Sequence, residues 1–220
     1  MPQRDPASEY DAWYRTPRGA WIGDVEFRLL VAMLRPHAGE TLLDVGCGTG
    51  YFTRRFAREC RVAATGLDPN EGWLDYAREQ AAAGETYLAG VAEALPFPDR
   101  SFDLTLSVAA LCFVPQEREA LMEMLRVTRR RFAIGLLNRD SLLYGEKAGR
   151  GAYRGAHWHT PQELRALFEG LEVSALELRS AVFLPTGSAV ARIAEPLLPA
   201  RWLRGALLAV TGEVAPRRGG

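Results

Sequence analysis

Short apolar runs of strand length recur along the chain, and most are followed by a stretch whose apolar positions return every three or four residues. The runs fall at Thr41 to Val45, Arg61 to Leu67, Thr86 to Ala89, Phe102 to Val108, Phe132 to Leu137, Val173 to Ser180 and Ala206 to Val210. Between them the spacing predicts helices. The first covers Trp21 to Leu34, with apolar residues at 22, 25, 29, 30, 33 and 34 and an end marked by Pro36 and Gly39. Others follow over Tyr51 to Cys60, Glu71 to Ala82, Pro115 to Thr128 and Pro161 to Phe168. Strands that alternate with helices predict a mostly parallel sheet with helices on both faces.

Composition changes this picture little. A chain of 220 residues, 48% hydrophobic and 25% charged, is an ordinary globular balance in which one domain can bury a sizeable core. The 27 basic and 27 acidic residues cancel, which argues against an overall electrostatic footprint for nucleic acid. A local cluster at Arg126, Arg129, Arg130 and Arg131 is expected to sit at a helix C-terminus, where cations complement the helix dipole. Cys47, Cys60 and Cys112 are widely spaced without a metal-ligand pattern and read as reduced packing residues. No run approaches 18 consecutive apolar residues and the N-terminus lacks an apolar leader core, so the expected location is the cytoplasm, without a membrane partner. The arginine-rich, alanine-rich composition suggests a bacterial source. The segment before the last strand is broken by Pro196 and Pro199 and is expected to be a crossover helix packed on the sheet, ahead of a membrane-surface role for Trp202 with Arg201 and Arg204.

The candidate chemistry centres on LLDVGCGTG, residues 42 to 50. A buried strand ends there in glycines at 46, 48 and 50, which let the backbone turn tightly and a ligand lie against the main chain. The spacing is GxGxG, so the third glycine of a dinucleotide fingerprint is missing. A phosphate-binding loop is excluded too, since GxxxxGK[ST] has no match and Lys147 is the single lysine. Asp44 would repel a pyrophosphate and could receive a cationic group. Asp68 closes the second strand 22 positions after Gly46, where an acidic residue accepts hydrogen bonds from ribose hydroxyls in doubly wound sheets. Its other reading is local: Asp68, Pro69 and Asn70 turn the chain and cap the next helix.

With GVAEALPFPDRSFDLTLS downstream, these stretches resemble class I S-adenosylmethionine-dependent methyltransferases of the type 11 domain family, over about residues 24 to 180. The resemblance implies a Rossmann-like doubly wound α/β fold, a sheet of seven mostly parallel strands in a three-layer αβα sandwich. It implies S-adenosylmethionine as cofactor and S-adenosylhomocysteine as product. Asp44, Gly46, Cys47 and Gly48 would hold the methionyl end, Asp68 with Pro69 the ribose, Val91 and Ala92 the adenine, and Ser107 the carboxyl edge of strand four. Many relatives carry an acidic residue where this chain has Val91, which leaves only packing against the ring.

Residues 1 to 20 form an aromatic segment in which Tyr10 or Tyr14 could fold over cofactor and substrate as a lid; packing on the outside of the core is the equal alternative. The methyltransferase domain is expected over 21 to 212 and a flexible tail over 213 to 220. A substrate cap is expected within 138 to 160, where His157 and His159 are candidates for a base or a substrate contact. At i and i+2 of an extended chain they should point to opposite sides. An HxH pair could hold a metal, but no further ligand cluster supports it. His37, just beyond the first helix, is expected to be solvated or to cap it.

The expected activity is methyl transfer to a small-molecule acceptor by positioning alone, with no dedicated catalytic residue and no metal, in a monomer or homodimer. Two alternatives stand beside it: a non-catalytic protein binding the cofactor or its product, and an RNA nucleotide methyltransferase using the arginines. A dehydrogenase ranks last, on the missing third glycine.

Overall fold

The computed structural model describes residues 6–214. Two helices precede the sheet, α1 (Ala7–Trp13) and α2 (Pro17–Leu34). They are followed by β1 (Thr41–Val45), α3 (Tyr51–Cys60), β2 (Ala63–Asp68), α4 (Glu71–Glu79), β3 (Glu85–Ala89) and β4 (Phe102–Val108). The second half runs α5 (Glu117–Val127), β5 (Thr128–Leu137), α6 (Leu142–Lys147), α7 (Pro161–Ala166), β6 (Val173–Ala181), α8 (Ala189–Ala194) and β7 (Leu207–Val214).

The seven strands form one sheet in the order β3-β2-β1-β4-β5-β7-β6. From β3 to β5 every pair is parallel, while β7 runs antiparallel to both β5 and β6. The chain winds outward from β1 to β3 and then returns to place β4 on the other side of β1. That reversal places the topological switch point at the carboxyl ends of β1 and β4, where open α/β sheets bind their ligands.

Alternation along β1 shows how the sequence builds two cores. Leu42 packs with Phe27, Leu30 and Leu34 of α2 and Phe52 and Phe56 of α3. Leu43 and Val45 point the other way, into a cluster with Leu121 and Met124 of α5 and Leu164 of α7. Both leucines are fully buried, each contributing roughly 1.5 to 3 kcal/mol. The same period of two sends Asp44 to the α3 side, where a leucine would otherwise sit.

The helical and strand patterns fall where they were expected, with three differences. First, α2 begins at Pro17, capped by the Thr16 side chain, which accepts from the Gly19 N–H, and residues 7 to 13 form a helix of their own. Second, β5 begins directly after α5, so Arg129, Arg130 and Arg131 are strand residues and not a helix-terminal cluster. Thr128 makes the junction: its hydroxyl donates to the Met124 carbonyl and shares a hydrogen bond with Thr105 of β4, which pulls the chain straight into the sheet. Each arginine meets a carboxylate there, Arg129 with Asp103, Arg130 with Glu40 and Arg131 with Glu213. Third, the crossover segment does not pack as an amphipathic helix on the sheet. α8 is six residues long and buries only Ala191, while Val190, Ile193, Leu197 and Trp202 are exposed. Two prolines break the segment before it can present a continuous face.

β7 extends through Val214, and the remainder of the expected flexible tail, 215 to 220, lies outside the described residues, as do residues 1 to 5 of the aromatic segment. All three cysteines are free thiols. His37 is exposed, with its Nδ1 3.5 Å from Glu40. No described helix is long and apolar enough to cross a membrane.

Candidate cofactor and active site

Gly46, Gly48 and Gly50 all take positive φ, at 76°, 56° and 79°. The turn is held against the end of β2 by hydrogen bonds. The Gly46 and Cys47 amides both donate to the Leu67 carbonyl, and the Gly48 amide donates to Asp68 Oδ2 at 2.9 Å. A Cβ on Gly46 would stand 2.2 Å from that of Ala110, and one on Gly48 3.1 Å from the Trp73 ring. Glycine is therefore required at Gly46 both by φ and by the close approach of the loop after β4.

Asp68 is buried at the end of β2. Its other oxygen accepts from the Asn70 N–H at 2.9 Å, forming the turn across Pro69, while Asn70 itself caps α4 by accepting from the Trp73 N–H. Capping thus falls to Asn70 and leaves Asp68 facing the glycine turn. Asp44, 2% exposed, accepts a 2.6 Å hydrogen bond from the Thr53 hydroxyl. Burial pushes its carboxyl up to about 7, against the Thr53 hydrogen bond and with help from the nearby Asp68 charge. Burial likewise raises the Cys47 thiol well above its usual value, which makes it a neutral packing group.

The helix α1 lies across this end of the sheet. Tyr10 stacks on Trp73 of α4, ring centroids 4.8 Å apart, and Tyr14 stacks on Tyr51 of α3 at 3.6 Å. Asp11 anchors it. Its carboxylate accepts from Arg54 at 2.7 Å, from the Tyr76 hydroxyl at 3.1 Å and from the Thr49 hydroxyl at 3.4 Å, so one residue ties α1 to α3 and α4. Asp11, Arg54, Tyr76 and Trp73 were not foreseen, because their partners lie 38 to 65 positions apart and no local spacing rule joins them. Behind α1 lies Glu26 of α2, half-buried and pushed up to about 8 by desolvation, its charge felt by Tyr14, Tyr51 and Tyr153.

Two further expected positions separate. Val91 is 46% exposed and paired only in an isolated bridge to Ala94, whereas Ala92 is buried. Ser107, at the carboxyl end of β4, is fully buried, and its hydroxyl has no hydrogen-bond partner among the described residues. An unsatisfied buried hydroxyl costs about 1 to 3 kcal/mol, and its place at the switch point suits a polar ligand group.

The histidines depart from expectation. His157 and His159 do not point to opposite sides: their rings lie 4.2 Å apart and both approach Glu117. The chain here is irregular, joined to the end of β5 by the His159 amide on the Leu137 carbonyl and to Asn138 by an isolated bridge, so strand alternation does not apply.

Sheet order, switch-point glycine turn and acidic strand end define a doubly wound nucleoside-cofactor protein. Residues 43–132 match the family described as a methyltransferase domain. The chain is 43% identical over 123 residues to a malonyl-[acyl-carrier protein] O-methyltransferase of Serratia marcescens, covering 56% of this chain and 45% of that one. It is 34% identical over 194 residues to an uncharacterised protein of Mycobacterium bovis, covering 83% and 64%. Thus the chain spans about half to two thirds of the length of these curated relatives. Among solved structures, a methyltransferase of Thermotoga maritima described as a possible histamine N-methyltransferase superposes with a TM-score of 0.76 at 25% identity, over 94% of this chain and 96% of that one. The fold is that of the class I S-adenosylmethionine-dependent methyltransferases, and residues 43–132 carry the sequence match to a methyltransferase domain. S-Adenosylmethionine is the cofactor that this match implies. The residues fit it: a buried Ser107 hydroxyl without a partner among the described residues, a glycine turn of positive φ at the end of β1, and an acidic group at Asp68 held by main-chain amides.

Proposed function

We propose that this protein transfers the methyl group of S-adenosylmethionine to a small-molecule acceptor. The observation that carries this reading is the convergence of the Gly46 to Gly50 turn, Asp68 and the unpartnered Ser107 hydroxyl at one sheet end, beneath α1. When bound, the cofactor supplies a methyl group already activated by its sulfonium. The chain's own residues then bind, orient and exclude water.

In this reading Asp68 accepts from the ribose hydroxyls, and Ala92 with Val91 borders the adenine. Asp44 and the turn through Cys47 face the methionyl end, where a cationic group favours the ionised form of Asp44. Pro69 holds the chain in the turn that presents Asp68. Helix α1, with Tyr10 and Tyr14, acts as the cover and residues 138 to 160 as the cap, so the acceptor enters between them, near Glu26 and Tyr153. No side chain is required to form a covalent intermediate. Aligning the acceptor atom for in-line displacement can itself contribute roughly 7 to 11 kcal/mol.

The RNA reading is weaker, since Arg126, Arg129, Arg130 and Arg131 are each committed to a carboxylate. Calorimetric titration with S-adenosylmethionine, S-adenosylhomocysteine and NAD tests the cofactor site. Binding of the first two, absent for NAD and weakened in Asp68→Ala, is expected; no binding by folded protein would refute it. Malonyl-[acyl-carrier protein] and histamine, the compounds named for the relatives, are the first acceptors to assay. Tight cofactor binding with no turnover on any acceptor would instead favour the non-catalytic reading.

A further inference from the structure

Glu117 begins α5, while His157 and His159 lie 40 and 42 residues later in the run that leads into α7. Main-chain hydrogen bonds fix that run in place: the His157 amide donates to the Cys112 carbonyl at 2.7 Å and the His159 amide to the Leu137 carbonyl at 2.9 Å. Three side chains meet as a result. Glu117 Oε2 lies 2.9 Å from His159 Nε2 and 3.5 Å from His157 Nδ1, and one ligand atom from each residue lies within 4.8 Å of the other two.

A structural ion pair would need only one of these histidines. Here both imidazoles converge on the same oxygen, Glu117 Oε2. The arrangement also leaves Glu117 Oε1 and His159 Nδ1 buried without a hydrogen-bond partner among the described residues. Tetrahedral zinc, with bonds of about 2.0 to 2.1 Å, sets neighbouring ligand atoms about 3.3 Å apart, close to the 2.9 and 3.5 Å from Glu117 Oε2 to the two imidazole nitrogens. Bidentate binding by Glu117 would also occupy Oε1.

We propose that Glu117, His157 and His159 form a binding site for a divalent transition metal of the zinc type. Two imidazoles and one carboxylate suit zinc and cobalt, whereas magnesium and calcium favour all-oxygen sets. Burial gives the site a direction. The side chains of His159 and Glu117 are 1% and 12% exposed and form its floor, while that of His157 is 53% exposed and leaves an entry path and a fourth position toward solvent. The bound ion would staple the end of the segment between β5 and α7 to the start of α5. The argument uses none of the cofactor residues, so it stands or falls apart from the methyltransferase reading.

The test is titration of tag-free, chelator-dialysed full-length protein with zinc against a chromophoric indicator, and with cobalt followed by its visible absorption. One equivalent per chain, micromolar or tighter, is expected, with the intense cobalt bands of tetrahedral coordination. His157→Ala, at an exposed position that should not disturb folding, weakens binding at least tenfold while the melting curve of the metal-free protein stays in place. Glu117→Gln does the same, and His37→Ala, at the remaining histidine, changes nothing. Absence of saturable binding, or binding that survives His157→Ala or depends on His37, overturns the site.

Discussion

The Gly48 amide donates a 2.9 Å hydrogen bond to Asp68 Oδ2, so the turn after β1 and the acidic end of β2 are one unit twenty residues apart in sequence. Asp68→Ala removes the proposed ribose acceptor and leaves the Gly48 N–H without this partner. Hydrogen bonds to a charged group contribute about 1.5 to 3 kcal/mol, so affinity for S-adenosylhomocysteine should fall by roughly 10- to 100-fold in calorimetry. An unchanged affinity would remove Asp68 from the site.

Gly46 and Gly39 offer a matched pair. Both have positive φ, 76° and 87°, but a Cβ on Gly39 meets nothing within 4 Å, whereas one on Gly46 strikes Ala110. Gly39→Ala should therefore cost only the conformational strain, roughly 1 to 2 kcal/mol, and leave cofactor binding intact. Gly46→Ala should destabilise further and abolish binding. Chemical denaturation and calorimetry on both variants check this, and equal effects would contradict it.

Asp44 couples stability to pH. Its carboxyl ionises near about 3.9 in an unfolded chain and is pushed up to about 7 by burial here. Between those values the folded state holds the proton more tightly, so stability is fully present at the acid end and is lost as pH rises through 7. Asp44→Asn should flatten that decline by an amount on the order of a few kcal/mol between pH 5 and 8, at about 1.4 kcal/mol per unit. Glu26, raised to about 8, leaves a residual slope of the same sign and comparable size. Denaturation midpoints at the two pH values decide the matter, and an identical slope in wild type and variant would show that Asp44 is ionised throughout.

Asp11 holds the proposed cover. Asp11→Ala strips the carboxylate from Arg54 and Tyr76 and should loosen α1 by on the order of 2 to 3 kcal/mol. The expected signs are faster proteolysis before residue 20 and faster release of S-adenosylhomocysteine, with the sheet intact by circular dichroism. A protease-resistant N-terminus in the variant would show that aromatic stacking alone suffices.

Much of this architecture is written locally. The period of two in β1, the glycines after it and the acidic residue ending β2 each depend on neighbours within a few positions, so the parallel core, the glycine turn and Asp68 were legible from residue types alone. The start of β5 was not, because the Thr128 junction depends on Thr105 in a neighbouring strand. Nor was the exposed face of α8, since propensity and amphipathicity do not say whether two prolines leave room to pack.

The sequence by itself determined the fold class, the glycine turn and the order of the elements, because hydrophobic period and backbone freedom act over short distances. Only the tertiary structure decided that Asp11 clamps α1 to α3 and α4, and that Ser107 lies buried without a partner among the described residues. It also decided that Glu117 meets both His157 and His159. Each of these depends on side chains tens of residues apart brought within a few ångströms by sheet order, and no spacing along the chain encodes that distance.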